Sequence, residues 1–213
     1  PMSKPVVIDE PEQLHSAPHP APALRLEAHG RTHRGRERPK NEDHFLVAHL
    51  GLRLDVAQTS LPQGAGAGAA TDGSGTLLMV ADGMGGAQAG ALASALAIQT
   101  TTRHLMRATQ GTAGDEMDPV LRQAFERSAE VVQAEGQRDR AHQGMGTTLT
   151  VAYAVAGHLT VAHVGDSRAY LIRGDQLRQL TRDHTVAQQM VEDGVLSAER
   201  AESSRFAHVV WNA

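Results

Sequence analysis

Between Thr147 and Thr181 the chain reads "TTLTVAYAVAGHLTVAHVGDSRAYLIRGDQLRQLT". Short β-prone apolar segments are cut by Gly157-His158, Gly165-Asp166 and Gly174-Asp175, turn pairs spaced about ten residues apart. Turns so close together connect antiparallel neighbours, because a parallel connection needs a crossover of a dozen or more residues. A β-meander is therefore expected here. Upstream, residues 87–109 carry Leu92, Leu96, Ile98 and Leu105 at helical spacing, and Asp118-Pro119 opens a second helix running to about Glu135. Before these helices, "ALRLEAHG" (23–30) alternates as a half-buried strand does, and "HFLVAHL" (44–50) reads as another strand. "TLLMVAD" (76–82) has the uniform apolarity of a strand buried on both faces. From Arg182 the chain turns helical, stopping near Gly194 and restarting at Ser197. Strands, two long helices and more strands make an α+β order, not strict βαβ alternation.

Acids outnumber bases by 24 − 20 = 4 among 213 residues. That balance argues against nucleic acid or an anionic membrane as the main partner, since phosphate backbones demand a basic face. There is no cysteine, which excludes disulfides, thiolate metal sites and a cysteine nucleophile. No apolar run approaches the roughly 20 residues of a membrane span, and no signal-peptide core is present, so a soluble cytoplasmic protein is expected. Residues 1–22 hold six of the nine prolines and read as a disordered leader. Residues 58–75 form a Gly/Ala-rich stretch expected to be a mobile loop.

Three separated segments carry the chemistry: Arg38 with Asn41-Glu42-Asp43, Asp82-Gly83-Met84-Gly85-Gly86, and Gly144-Met145-Gly146-Thr147-Thr148. Hard divalent cations take oxygen ligands, and Asp82 at a strand end beside the bare Gly83 carbonyl suits them. Glu42 and Asp43 offer further oxygens, and Arg38 lies near enough to set a bidentate cation beside a phosphate. On these residues alone Asp82-Gly83 is more often a plain turn than a metal site, and "NED" is a solvated loop in most proteins. The glycines lack the Gly-Lys-Ser/Thr of a phosphate loop and the spacing of a dinucleotide site. Asp166-Ser167-Arg168 has no nucleophile elbow around it and reads as a structural turn, with Arg168 leaning on Asp166. No His-x-x-x-His pair of the zinc-hydrolase type occurs.

In their order, "GRERPKNED", "VADGMGG", "GMGTTLT" and "HVGDSRAYLIRGDQLRQLTRDHT" resemble successive motifs of the metal-dependent (PPM, type-2C) protein serine/threonine phosphatases of bacterial type. The resemblance runs from about Leu24 to Ala213, and residues 183–205 look like the flap helices of bacterial members. It implies a four-layer αββα sandwich of two antiparallel sheets flanked by helix pairs, occupying 23–213. It also implies hydrolysis of phosphoserine and phosphothreonine on proteins by a water shared between two Mn²⁺ or Mg²⁺ ions. Asp82 would bridge both ions, Gly83 would lend its carbonyl, Glu42 and Asp43 would add oxygens, and Arg38 would hold the phosphoryl group. Phosphoproteins made by bacterial serine/threonine kinases are the implied substrates.

Three departures from that pattern bear on the site. Animal-type members have a histidine, proposed as general acid, where this chain has Met84. The aspartate that serves a third metal just before "GMGTT" in many relatives is replaced by neighbours Ala141, His142 and Gln143, with Asp139 further back. The family's later metal aspartates and C-terminal strands have no counterpart before Ala213, so a weak or partial metal centre is expected, with self-association through uncovered strands. The same shortfall motivates an alternative, a catalytically inactive phosphatase-like binding module. A nucleotide-binding domain is a third and weaker option.

Overall fold

The computed structural model describes residues 6–8, 26–51, 54–62, 75–108, 117–155 and 157–212. Its strands are β1 (Val6–Ile8), β2 (Asp43–Leu50), β3 (Leu54–Thr59), β4 (Gly75–Met84), β5 (Gly146–Thr147), β6 (Leu149–Val155), β7 (His158–Val164), β8 (Tyr170–Arg173) and β9 (Gln176–Gln179). Its helices are α1 (Ala87–Ala108), α2 (Met117–Arg138), α3 (Val186–Glu192) and α4 (Ala198–Glu202). The main sheet has the order β1-β7-β6-β4-β2-β3, with β5 paired to β4, and every pairing is antiparallel. β8 and β9 form a second, separate antiparallel sheet. This is an α+β fold of two antiparallel sheets with helices packed outside.

The strand period of two decides which residues meet the helices. Leu46, Leu77, Met79 and Val151 point to one face and are buried against Ile98, Leu105, Leu121 and Phe125 of α1 and α2. Ala89, Ala93 and Ala97 recur every fourth residue along α1, a stripe small enough for α2 and Met145 to close upon it. The low aromatic content is met in this way by close helix–helix approach.

Several expectations from the sequence are revised. β4 is not buried on both faces: its burial alternates, and Val80 is 45 % exposed on the side away from α1 and α2. Residues 26–30 form no strand, because the Gly30 N–H is taken by the Gln58 side-chain oxygen at 2.7 Å and not by a neighbouring strand. Within the Pro-rich leader, Val6–Ile8 is an edge strand on β7, a β-branched triplet meeting a free sheet edge. The rest of 1–22 lies outside the described residues. So does 63–74, while the two flanks of the Gly/Ala-rich stretch belong to β3 and β4. The Gly165-Asp166 turn does not join hairpin partners: β7 lies in the main sheet and β8 in the second.

Candidate active site

β2 and β4 pair in a register that sets Asp43 directly opposite Asp82. The strand does not end at Asp82. It continues through Gly83 and Met84, which pair with Thr147 and Gly146 of β5. Both backbone polar groups of Asp82 are taken: its N–H donates to Thr148 Oγ1 at 2.9 Å, and its carbonyl accepts from Thr148 N–H at 2.9 Å and Thr147 Oγ1 at 3.0 Å. The backbone is thus fixed, and only the carboxyl group is available to a ligand. Partial burial pushes that carboxyl up to about 6, helped by the charge of Asp43 and a hydrogen bond shared with it, with Arg38 pulling the other way. Two carboxyls held this close cannot both ionise cheaply without a cation.

Glu42 is 7 % exposed and its carboxylate faces Arg38 Nη1 at 3.4 Å. Ser94 of α1 donates to the Glu42 carbonyl at 2.5 Å, and Asn41 Oδ1 accepts from the Asp43 N–H at 3.2 Å, so the loop before β2 is tied from both sides. Gly83 answers a steric demand. A Cβ there would lie inside the van der Waals radius of the Gly90 carbonyl, so α1 passes directly over β4. Gly85 and Gly86 have φ of 111° and 95°, left-handed values that turn the chain from β4 into α1.

Arg38, Glu42, Asp82 and Gly83 line one cavity of about 440 Å³, together with Met84, Thr148, Asp166 and His208. Asp43 is not among its lining residues and adjoins it as the cross-strand partner of Asp82. A second cavity of about 610 Å³ shares Asp82, Asp166 and His208 and extends to the β8–β9 hairpin and α3–α4. Two further residues thus line the candidate site: Asp166, which reads in the sequence as a structural turn residue, and His208, which the sequence does not single out. Gly-Asp is the same signal whether the acid bonds a turn or faces a cavity, and His208 is brought in only by the fold beyond α4. Burial raises the Asp166 carboxyl, with the charge of Asp82 as the next cause.

Arg168 does not lean on Asp166. It makes a fork contact with Asp183, Nε to Oδ1 at 3.0 Å and Nη2 to Oδ2 at 2.6 Å. Gly165 is gripped by two buried histidines. Its N–H donates to His184 Nδ1 at 3.2 Å, and its carbonyl accepts from the His184 N–H at 2.7 Å and lies 3.0 Å from His163 Nε2. Asp139 is committed elsewhere: its side chain caps the 3-10 turn 140–142 by accepting from Ala141 N–H at 2.9 Å.

The donor set suits a hard divalent cation in kind, since Asp43, Asp82 and the Gly83 carbonyl are all oxygen donors and the paired carboxyls repel. It falls short in number. Among the described residues no group of three or more His, Asp or Glu side chains is disposed to hold a metal ion.

The family model described as protein phosphatase 2C matches residues 56–190. Protein phosphatase PhpP of Streptococcus pneumoniae is 38 % identical over 135 residues, covering 63 % of this chain and 54 % of that protein. The crystal structure of Mycobacterium tuberculosis serine/threonine phosphatase PstP/Ppp superposes with a TM-score of 0.64 at 30 % identity, over 86 % of this chain and 65 % of that one. The catalytic domain of PstP in complex with two manganese ions gives 0.59 at 31 % identity, over 81 % and 62 %. The chain spans about half the length, 54 %, of the curated relatives it matches. No helix among the described residues is long and apolar enough to cross a membrane.

Proposed function

The chain belongs to the protein phosphatase 2C family, and from that premise we propose that it hydrolyses phosphoserine and phosphothreonine esters on proteins with divalent cations, Mn²⁺ or Mg²⁺. The observation that supports this reading is the Asp43–Asp82 pair, in register across the sheet, with Asp82 lining a cavity that Arg38, Glu42 and Gly83 also line. Asp82, Asp43 and the Gly83 carbonyl would hold the cations, with Glu42 behind them. Bound there, the ions supply a water acidic enough to be a nucleophile near neutral pH and absorb charge on the phosphoryl oxygens. Arg38, whose side chain is 59 % exposed, turns its guanidinium fork from Glu42 to the phosphoryl group. Thr148 and Thr147 hold the Asp82 backbone still while its carboxylate works. The substrates are phosphoproteins made by serine/threonine kinases of the same cell, which puts the activity in the cytoplasm.

The test is phosphate release from a phosphothreonine peptide. Mn²⁺ should start it and a chelator should stop it. Release that continues unchanged in excess chelator would remove the metal-dependent reading.

A further inference from the structure

A serine or threonine alkoxide is a poor leaving group, so the ester oxygen needs a proton as the P–O bond breaks. Met84 faces the cavity with a thioether that has no proton to give. Arg38 stays charged throughout, and Asp82 is committed to the cation side of the site. Among the described residues, His208 is the single imidazole lining either of the two cavities that meet at Asp82 and Asp166. Resting on the phosphatase reading above, we infer that His208 is the general acid that protonates the leaving serine or threonine oxygen.

The backbone that follows His208 is held in place, while the His208 side chain itself is exposed. Immediately after His208, Val210 forms an antiparallel bridge with Thr185, the Val209 carbonyl accepts from Val186 N–H at 2.8 Å, and Trp211 N–H donates to the His184 carbonyl at 3.0 Å. The same residue, His184, grips Gly165 and so sets the turn that carries Asp166. His208 and Asp166 are thus both tied to the segment around His184, and both line the two cavities that share Asp82. The charged groups around the two cavities are Arg38 and Glu42 before β2, Asp82 on β4, Asp166 and Arg168 after β7, Asp183 before α3, and Glu202 on α4. Arg168 is bound to Asp183.

The step balances. Water attacks phosphorus on the side opposite the ester oxygen, the P–O ester bond breaks, and its electron pair passes to the leaving oxygen. That oxygen takes the proton of a His208 ring N–H and departs as the alcohol. The proton lost by the attacking water returns to the imidazole through solvent, leaving inorganic phosphate.

Leaving-group dependence tests the assignment, because 4-nitrophenolate leaves without a proton and a threonine oxygen does not. With Mn²⁺ present, His208→Ala should lose about 100-fold in kcat on a phosphothreonine peptide and less than about fivefold on 4-nitrophenyl phosphate. Added imidazole should restore part of the peptide activity. The Mn²⁺ affinity of the variant, measured by calorimetry, should equal that of the parent. Equal losses on both substrates, no loss on the peptide, or weakened Mn²⁺ binding would each overturn the general-acid role. A parent protein that hydrolyses neither substrate would instead overturn the phosphatase reading on which it rests.

Discussion

Asp43 and Asp82 stand directly opposite each other across the β2–β4 pairing, and the charge of Asp43 helps to raise the Asp82 carboxyl. In a metal-free protein this contact opposes two negative charges, and a bound cation reverses its sign. Asp43→Asn should therefore melt at the same or a higher temperature than the parent in chelator. In Mn²⁺ it should gain much less than the parent, with affinity at least about tenfold weaker. Thermal melts under the two conditions read both effects. A variant that gains as much from Mn²⁺ as the parent would separate Asp43 from the metal.

Gly83 and Gly90 touch backbone to backbone, and a side chain at Gly83 has no room beneath the Gly90 carbonyl. Gly83→Ala should cost about 3 kcal/mol by forcing α1 away from β4. Urea unfolding gives the value. A change within about 0.5 kcal/mol would mean that α1 is free to shift there.

His184 is 2 % exposed, and burial is the first cause that lowers it to about 4, followed by the charges of His163 and Arg182. Burial lowers His163 as well, and the two rings stand 5.2 Å apart between centroids. A folded-state value below the ordinary 6.5 means that the unfolded chain binds more protons between those limits. The stability is thus complete above about pH 6.5 and is lost as pH falls toward about 4. From His184 alone the loss at pH 5 is about 2 kcal/mol. Denaturant unfolding of the parent and of His184→Gln at pH 7 and pH 5 checks it, with a smaller pH difference expected in the variant. An equal pH difference in both would place the proton uptake elsewhere.

Arg168 grips Asp183 with a planar fork that a lysine cannot reproduce. Arg168→Lys should lose about 1 kcal/mol of stability. Amide exchange should quicken at Ser167 and Ala169, on the turn that carries Asp166. Exchange unchanged at those amides would show that the histidine grip on Gly165 alone holds the turn.

Local signals made much of this fold legible. The helical spacing of Leu92, Leu96, Ile98 and Leu105 marked α1, Asp118-Pro119 marked the start of α2 to within two residues, and Thr185 and Ser197 begin the two short helices. The Gly157 and Gly174 turns separated the strands of the meander, since each supplies a positive φ between adjacent segments. The failures lie where tertiary context decides. Val80 reads as core, yet the helices cover only the other face of β4. Arg168 has an acid two residues away and chooses one fifteen residues on, where Gln179 of β9 also donates to Asp183. Asp82, Glu42 and Arg38 were singled out because their segments occur in a recognisable order, and the fold brings them to the lining of one cavity. Asp166 and His208 join them through folding alone, with no local feature to separate them from an ordinary turn and an ordinary surface histidine.

The central claim rests on the Asp82 carboxylate, and one comparison tests it most directly: the rate of Mn²⁺-dependent phosphate release from a phosphothreonine peptide by the parent protein and by Asp82→Asn. The substitution keeps the shape and the backbone contacts to Thr147 and Thr148 while removing the charge. A loss of at least about 100-fold in kcat, with the variant still folded, is the expected result. A loss of only a few-fold would contradict the account.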